Sequence, residues 1–81
     1  MYYIATFYSH FGAIRFKKES ANINSPQLMP VPRRLSSSCG TCVRFSVSGE
    51  FSFSDIIVDD ELEQIVCETA NGYERIYQSK V

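Results

Sequence analysis

The stretch Met29–Phe45, "MPVPRRLSSSCGTCVRF", decides the middle of the fold because it contains the end of one strand, a loop and the start of another strand. Pro30 and Pro32 confine the first strand to a sheet edge or end it early, since proline cannot donate a hydrogen bond to a sheet ladder. Over Cys42–Val47 apolar and polar side chains alternate, which is typical of a half-buried strand. Arg33–Thr41 is therefore predicted to be a loop between two strands.

Two helices are predicted from their N-terminal caps. Ser9 can cap a helix that begins near His10. Further along, Asp60–Glu63 resembles a capping box, and the apolar face that starts with Leu62 and Ile65 has helical spacing. The predicted strands are Tyr2–Tyr8, Gln27–Val31, Cys42–Val47 and Tyr73–Gln78.

The predicted order is β-α-β-β-α-β, with a possible extra hairpin at 48–53. This order favours an α+β, ferredoxin-like sandwich, an antiparallel sheet with its helices on one face. Residues 1–81 are expected to form a single domain. An apolar sheet face that no helix covers would suit a homodimer interface.

The composition bounds the function. The formal net charge of −1 favours neither a nucleic-acid surface nor a membrane surface. No apolar run approaches the ~20 residues that cross a bilayer, and the N-terminus lacks a basic leader. Three cysteines are too few for a secreted disulfide scaffold, so a cytoplasmic location with reduced thiols is expected. No glycine-rich phosphate loop and no complete set of metal ligands is recognised, so no cofactor or metal is expected.

The Cys39-Gly-Thr-Cys42 spacing has three possible uses. A redox dithiol usually opens a helix, whereas a strand pattern follows Cys42. A zinc site needs four ligands, and beyond this pair the chain offers only Cys67 and His10. The third use is a single activated thiol at Cys39. On the residues alone, simple packing of Cys39 in the loop stays equally open.

An activated thiol needs groups that stabilise a thiolate, and the surroundings of Cys39 supply candidates. Consecutive loop N–H groups at Ser36–Ser38 could form an anion-binding nest. Arginine forks also suit a bound oxyanion. If strand ends meet as in a ferredoxin-like sheet, His10 and Cys39 would face one cleft. The nearby arginines are Arg33, Arg34 and Arg44.

Five short segments match one known pattern: a Ser-His pair, a Pro-Val-Pro-Arg segment, a serine run, a Cys-Gly pair and a closing strand. They are Ser9-His10, Pro30–Arg33, Ser36–Ser38, Cys39-Gly40 and Tyr73–Tyr77. With these segments the sequence resembles the putative Se/S carrier protein-like family of small bacterial domains. The pattern of that family needs only the first cysteine, so Cys42 is an added thiol. Ser48–Val58 is also longer than the family pattern.

The resemblance and the cationic loop together imply a sulfur or selenium carrier in which Cys39 holds a persulfide-type adduct. Arg33 would steady the thiolate or the adduct, Gly40 would allow close backbone approach, and Cys42 could resolve the adduct as a disulfide. The partner would be a sulfur or selenium donor or acceptor protein, and the carrier need not be a free-standing enzyme. Two other hypotheses stay open. One is a non-catalytic anion-binding or regulatory module clamped by Arg33 and Arg44, and the other is a zinc or disulfide pair.

Overall fold

A computed structural model describes residues 1–80 and shows one α-helix and a five-stranded antiparallel sheet within that range. The elements are β1 (Tyr2–Phe7), α1 (His10–Glu19), β2 (Asn24–Pro30), β3 (Thr41–Ser46), a 3-10 turn (Phe53–Asp55), β4 (Leu62–Thr69) and β5 (Gly72–Gln78). The strand order is β2-β3-β1-β4-β5, and each neighbouring pair is antiparallel. The predicted α+β class is therefore confirmed, and the four predicted strands are present.

Side chains of the central strand β1 alternate between two faces of the sheet. Phe7 packs on Phe16 of α1, with ring centroids 5.2 Å apart, so this side is called the helix face. Ile4 points to the opposite side, where it forms a buried cluster with Cys42 and Val66. That side is called the loop face, because residues of the segment between β2 and β3 pack against the cluster. Both faces are thus partly covered.

Helix α1 begins as predicted. The Ser9 hydroxyl accepts a hydrogen bond from the Gly12 N–H at 3.1 Å, which satisfies one of the free donors at the helix start. Phe16 is buried against the sheet, whereas Phe11 and Ile14 are exposed. The apolar side of this helix is therefore narrower than its sequence suggests. No helix within residues 1–80 combines the length and the apolar character that a bilayer crossing needs.

The predicted second helix is wrong, because Leu62–Thr69 forms strand β4. This strand lies between β1 and β5, and both of its faces are covered, so its apolar residues do not alternate cleanly. Ile65 faces the helix side and Val66 the loop side. The acidic residues before it form a turn instead of a helix cap: the Asp59 carboxylate accepts from the Glu61 N–H at 3.0 Å.

The predicted hairpin at 48–53 is also wrong, since this segment is a loop that leads into the 3-10 turn. Its aromatic rings cover part of the helix face. Phe51 packs on Tyr3 with centroids 4.8 Å apart, and Phe53 packs on Tyr77 at 5.9 Å. The loop thus supplies apolar cover toward β5, whereas α1 contacts β1, β2 and β3.

The ferredoxin-like sandwich is accordingly wrong in its second helix, and the order of the five strands differs from a four-stranded sheet. The prediction that the proline-containing strand lies at an edge is confirmed, because β2 is the first strand in the sheet order. Val31 and Leu35 pack on the buried cluster of the loop face. This face is therefore less open than the sequence suggested, and the homodimer through it stays a prediction.

Candidate thiol site

The loop Val31–Gly40 joins the edge strand β2 to β3 and carries most of the predicted site. The Val31 N–H donates to the Gly40 carbonyl at 3.0 Å, which closes the two ends of the loop. Inside it, the Leu35 N–H donates to the Pro32 carbonyl at 3.0 Å and forms a turn. The loop is therefore internally organised, with the Leu35 side chain packed on the loop face.

The serine run fastens this loop to the ends of β1 and β4. The Ser37 hydroxyl donates to the Phe7 carbonyl at 3.3 Å. The N–H and hydroxyl of Ser38 donate to the Glu63 carboxylate at 3.3 and 3.0 Å, and the buried Thr6 hydroxyl donates to the same carboxylate at 3.2 Å. In this arrangement the donors of Ser38 bind an internal anion, the carboxylate of Glu63.

Cys39 follows directly and is half-buried against the edge of the helix-face core. Its thiol donates to the Thr41 carbonyl at 3.4 Å. Gly40 has φ +77°, a left-handed conformation that favours glycine, and a Cβ built there meets no atom within 4 Å. The Cys39-Gly40 turn therefore has open space on one side, next to Gly40.

His10 lies beside the same turn. Its Nδ1 is 3.2 Å from the Thr41 hydroxyl, so His10 and Cys39 both contact Thr41. The imidazole is exposed and belongs to the first residue of α1, a helix of ten residues. The N–H groups of that helix start leave a partial positive charge on this side of the molecule. The structure thus brings two of the predicted site residues to one end of the sheet.

Cys42 has a different environment. It is fully buried on the loop face, and its thiol donates to the Pro30 carbonyl at 3.7 Å. Burial raises the pKa of Cys42 from 9.0 to about 11, with a further contribution from the neighbouring Cys39. Burial is also the main cause of the raised pKa of Cys67, which lies in the core of the helix face. Neither buried thiol has the accessible thiolate that nucleophilic chemistry needs.

Arg44 and Arg34 lie in different parts of the structure. Arg44 forms a bidentate pair with Glu68 at 2.6 and 3.0 Å, and its guanidinium lies 3.8 Å from the centre of the Tyr2 ring. The hydrogen bond from Arg44 lowers the pKa of Glu68. Arg34 lies over the turn between β4 and β5, 3.1 Å from where a Cβ on Gly72 would be.

Arg33 is exposed in the loop turn, and within residues 1–80 no hydrogen bond or ion pair joins its guanidinium to Cys39. Its predicted role beside the thiol stays a prediction. Within the same residues no group of three or more histidine, cysteine, aspartate or glutamate side chains is placed to hold a metal ion. The three cysteines are free thiols.

Two residues of the site are not predicted by the sequence. Glu63 is predicted to start a helix, but its carboxylate accepts from Ser38, and Thr41 links His10 to the Cys39 turn. Both contacts join residues that lie 25 to 31 positions apart in the sequence. A run of serines beside a polar strand end is the one pattern that could have indicated such an anchor.

The fold and this site describe a small α+β protein with one partly exposed loop cysteine. The family model described as "Putative Se/S carrier protein-like" matches residues 2–78, and the chain belongs to that family. Searches of curated proteins and of solved structures gave no match.

Proposed function

We propose that the protein carries sulfur or selenium on the thiol of Cys39. The observation that supports this proposal is the contrast among the three cysteines. Cys39 is partly exposed beside an open turn, whereas Cys42 and Cys67 are buried and have raised pKa values. A carrier thiol has to meet the active sites of two other proteins, so exposure is its first requirement. Family membership supports the same cargo.

The transfer needs no external oxidant. The Cys39 thiolate attacks the outer sulfur of a persulfide on a donor protein, a new S–S bond forms at Cys39, and the donor cysteine leaves as a thiolate. The thiol proton of Cys39 passes to solvent or to the donor. Delivery repeats the same exchange, with an acceptor nucleophile attacking the outer sulfur and Cys39 leaving. Cys42 is assigned to packing, because its burial and raised pKa argue against a resolving role.

His10 is assigned to positioning. Its contact with the Thr41 hydroxyl helps to hold Thr41, whose carbonyl accepts the hydrogen bond from the Cys39 thiol. The exposed side chains next to it suit contact with a partner protein, since Phe11 is 70% exposed and Ile14 is 41% exposed on the same helix. The cytoplasmic location belongs to this proposal, because thiol carriers operate where glutathione and thioredoxin keep cysteines reduced.

Intact-mass spectrometry tests the proposal after incubation with a cysteine desulfurase and cysteine. We expect a mass increase of one sulfur atom, which a reducing thiol removes. Cys39→Ser should abolish the increase, whereas Cys42→Ala and Cys67→Ala should keep it, provided that circular dichroism shows both variants folded. A sulfur increment that survives Cys39→Ser, or no increment on the native protein, would overturn the assignment.

A further inference from the structure

A second site candidate is a groove on the loop face, between the loop that carries Arg34 and the hairpin of β4 and β5. Its volume is about 450 Å³, within the range typical of small-ligand pockets. Arg34 and Arg75 line it together with the side chains of Gln64, Asn71 and Tyr73. A contiguous depression next to the turn shares Arg34, Asn71 and Tyr73, so the two form one continuous groove.

The strand register explains why these residues meet. Arg75 is the cross-strand partner of Val66, and Tyr73 is the partner of Glu68. Directly opposed residues of an antiparallel pair share a face. Val66 belongs to the buried cluster of the loop face, so Arg75 and Tyr73 also point to that face. The loop then brings Arg34 from the other side, and the groove lies between the two arginines.

Gly72 provides the space for Arg34. It has φ +139°, which L side chains rarely adopt, and an added Cβ would lie 3.1 Å from Nη1 of Arg34. The guanidinium thus rests close to the backbone of the hairpin turn, where any other residue would crowd it. The Arg34 side chain therefore lies at the border of the groove, next to the Gly72 backbone.

The charges in the groove are not balanced. Within residues 1–80 neither Arg34 nor Arg75 takes part in a salt bridge. The acidic residue that borders the groove, Glu68, has its carboxylate engaged by Arg44 at 2.6 and 3.0 Å. Two guanidinium groups therefore remain available, and the amide of Asn71 and the hydroxyl of Tyr73 add neutral donors.

We propose that this groove binds a small-molecule oxyanion of the phosphate, sulfate or carboxylate class. Planar guanidinium forks bind such groups in a bidentate manner. The inference goes beyond sulfur transfer, because it uses none of the atoms that surround Cys39. The Cys39 thiol packs at the edge of the helix-face core, whereas the groove opens on the loop face.

Nuclear magnetic resonance titration with sodium phosphate, at constant ionic strength, tests the groove directly. We expect saturable shifts of the backbone amides in and around the β4–β5 turn, with millimolar or tighter affinity. Arg34→Ala and Arg75→Ala should each weaken binding by about tenfold, as expected for the loss of a charged hydrogen-bond donor. Both side chains are exposed, so the variants should fold, and their thermal melts check this.

Arg33→Ala is the matched control. It removes the same charge from the adjacent position of the same turn, but Arg33 does not line the groove. Its affinity for phosphate should stay within about twofold of the native value. Equal weakening by Arg33→Ala and Arg34→Ala would show diffuse attraction and overturn the site, as would shifts that fail to saturate.

The outcome is separable from that of the proposed function. Sulfur loading of Cys39, measured by intact mass, should persist in the Arg34→Ala and Arg75→Ala variants. Loss of phosphate binding with intact loading supports a distinct groove. Loss of loading in both variants would contradict the independence of the two sites.

Discussion

Removal of the Glu63 carboxylate should loosen the loop that carries Cys39. The carboxylate accepts hydrogen bonds from the Thr6 hydroxyl at 3.2 Å and from the N–H and hydroxyl of Ser38 at 3.3 and 3.0 Å. Thr6 is fully buried, so the loss of its acceptor costs about 1–3 kcal/mol, and the two exposed Ser38 bonds add about 0.5 kcal/mol each. Glu63→Ala should therefore lower the free energy of unfolding by about 2–4 kcal/mol.

Urea denaturation followed by circular dichroism measures this loss. Glu63→Gln is the matched variant. Its amide oxygen can still accept from the Thr6 hydroxyl and the Ser38 N–H, which share one carboxylate oxygen, but its nitrogen cannot accept from the Ser38 hydroxyl, so a smaller loss than that of Glu63→Ala is expected. In the double-mutant cycle with Thr6→Val, the combined loss should be smaller than the sum of the single losses, because no buried hydroxyl is left without a partner.

Glu63→Ala should also change the reactivity of the Cys39 thiol. Since Ser38 immediately precedes Cys39, release of Ser38 should expose the thiol and speed its reaction with a disulfide reagent. A loss of stability under about 0.5 kcal/mol for Glu63→Ala, together with additive energies in the cycle, would refute the anchoring role.

Two further predictions concern steric fit and pH. Gly12→Ala should destabilise the protein by about 1–2 kcal/mol in urea denaturation, because the new Cβ would lie 2.6 Å from Cβ of Glu61. This overlap outweighs the gain of about 0.5–1 kcal/mol that the helix propensity of alanine brings. Unchanged or higher stability would show that the backbone around Glu61 moves away at no cost. Because burial raises the pKa of Cys42 from 9.0 to about 11, its contribution to stability is complete below pH 9 and is lost as the pH rises through about 11. Cys42→Ala should therefore lose less stability across this window than the native protein, and parallel pH profiles would contradict the effect.

The parts of the fold that local chemistry determines could be predicted from the sequence. Ser9 caps α1 because its hydroxyl reaches an N–H three residues away. The strand that ends at Pro30 lies at the sheet edge because proline lacks the donor that an inner strand needs. Alternation likewise identified β3, where Val43 and Phe45 face the helix and Arg44 faces away.

Strand β4 could not be predicted in the same way. Its burial continues over Gln64–Cys67 because it is an inner strand with cover on both faces, and such a run does not show a period of two. The acidic residues before Leu62 also match the pattern of a helix N-terminal cap, although they form a turn. The β-branched pair Ile65 and Val66 favours a strand, whereas the apolar spacing from Leu62 favours a helix.

The strand conformation of β4 also determines how the site is arranged, because a strand directs alternate side chains to opposite faces. Gln64 and Glu68 thereby reach the loop face, where Gln64 donates to the Ser36 carbonyl at 3.0 Å and Glu68 engages Arg44. Three arginines that flank Cys39 in sequence are therefore not one cluster around a thiol. Arg44 is held in an ion pair within the sheet face, and Arg34 is directed to the hairpin of β4 and β5. Closeness in sequence favours a single cationic thiol site, whereas the strand register favours a partly exposed thiol at one end of the sheet and a separate cationic groove on the loop face.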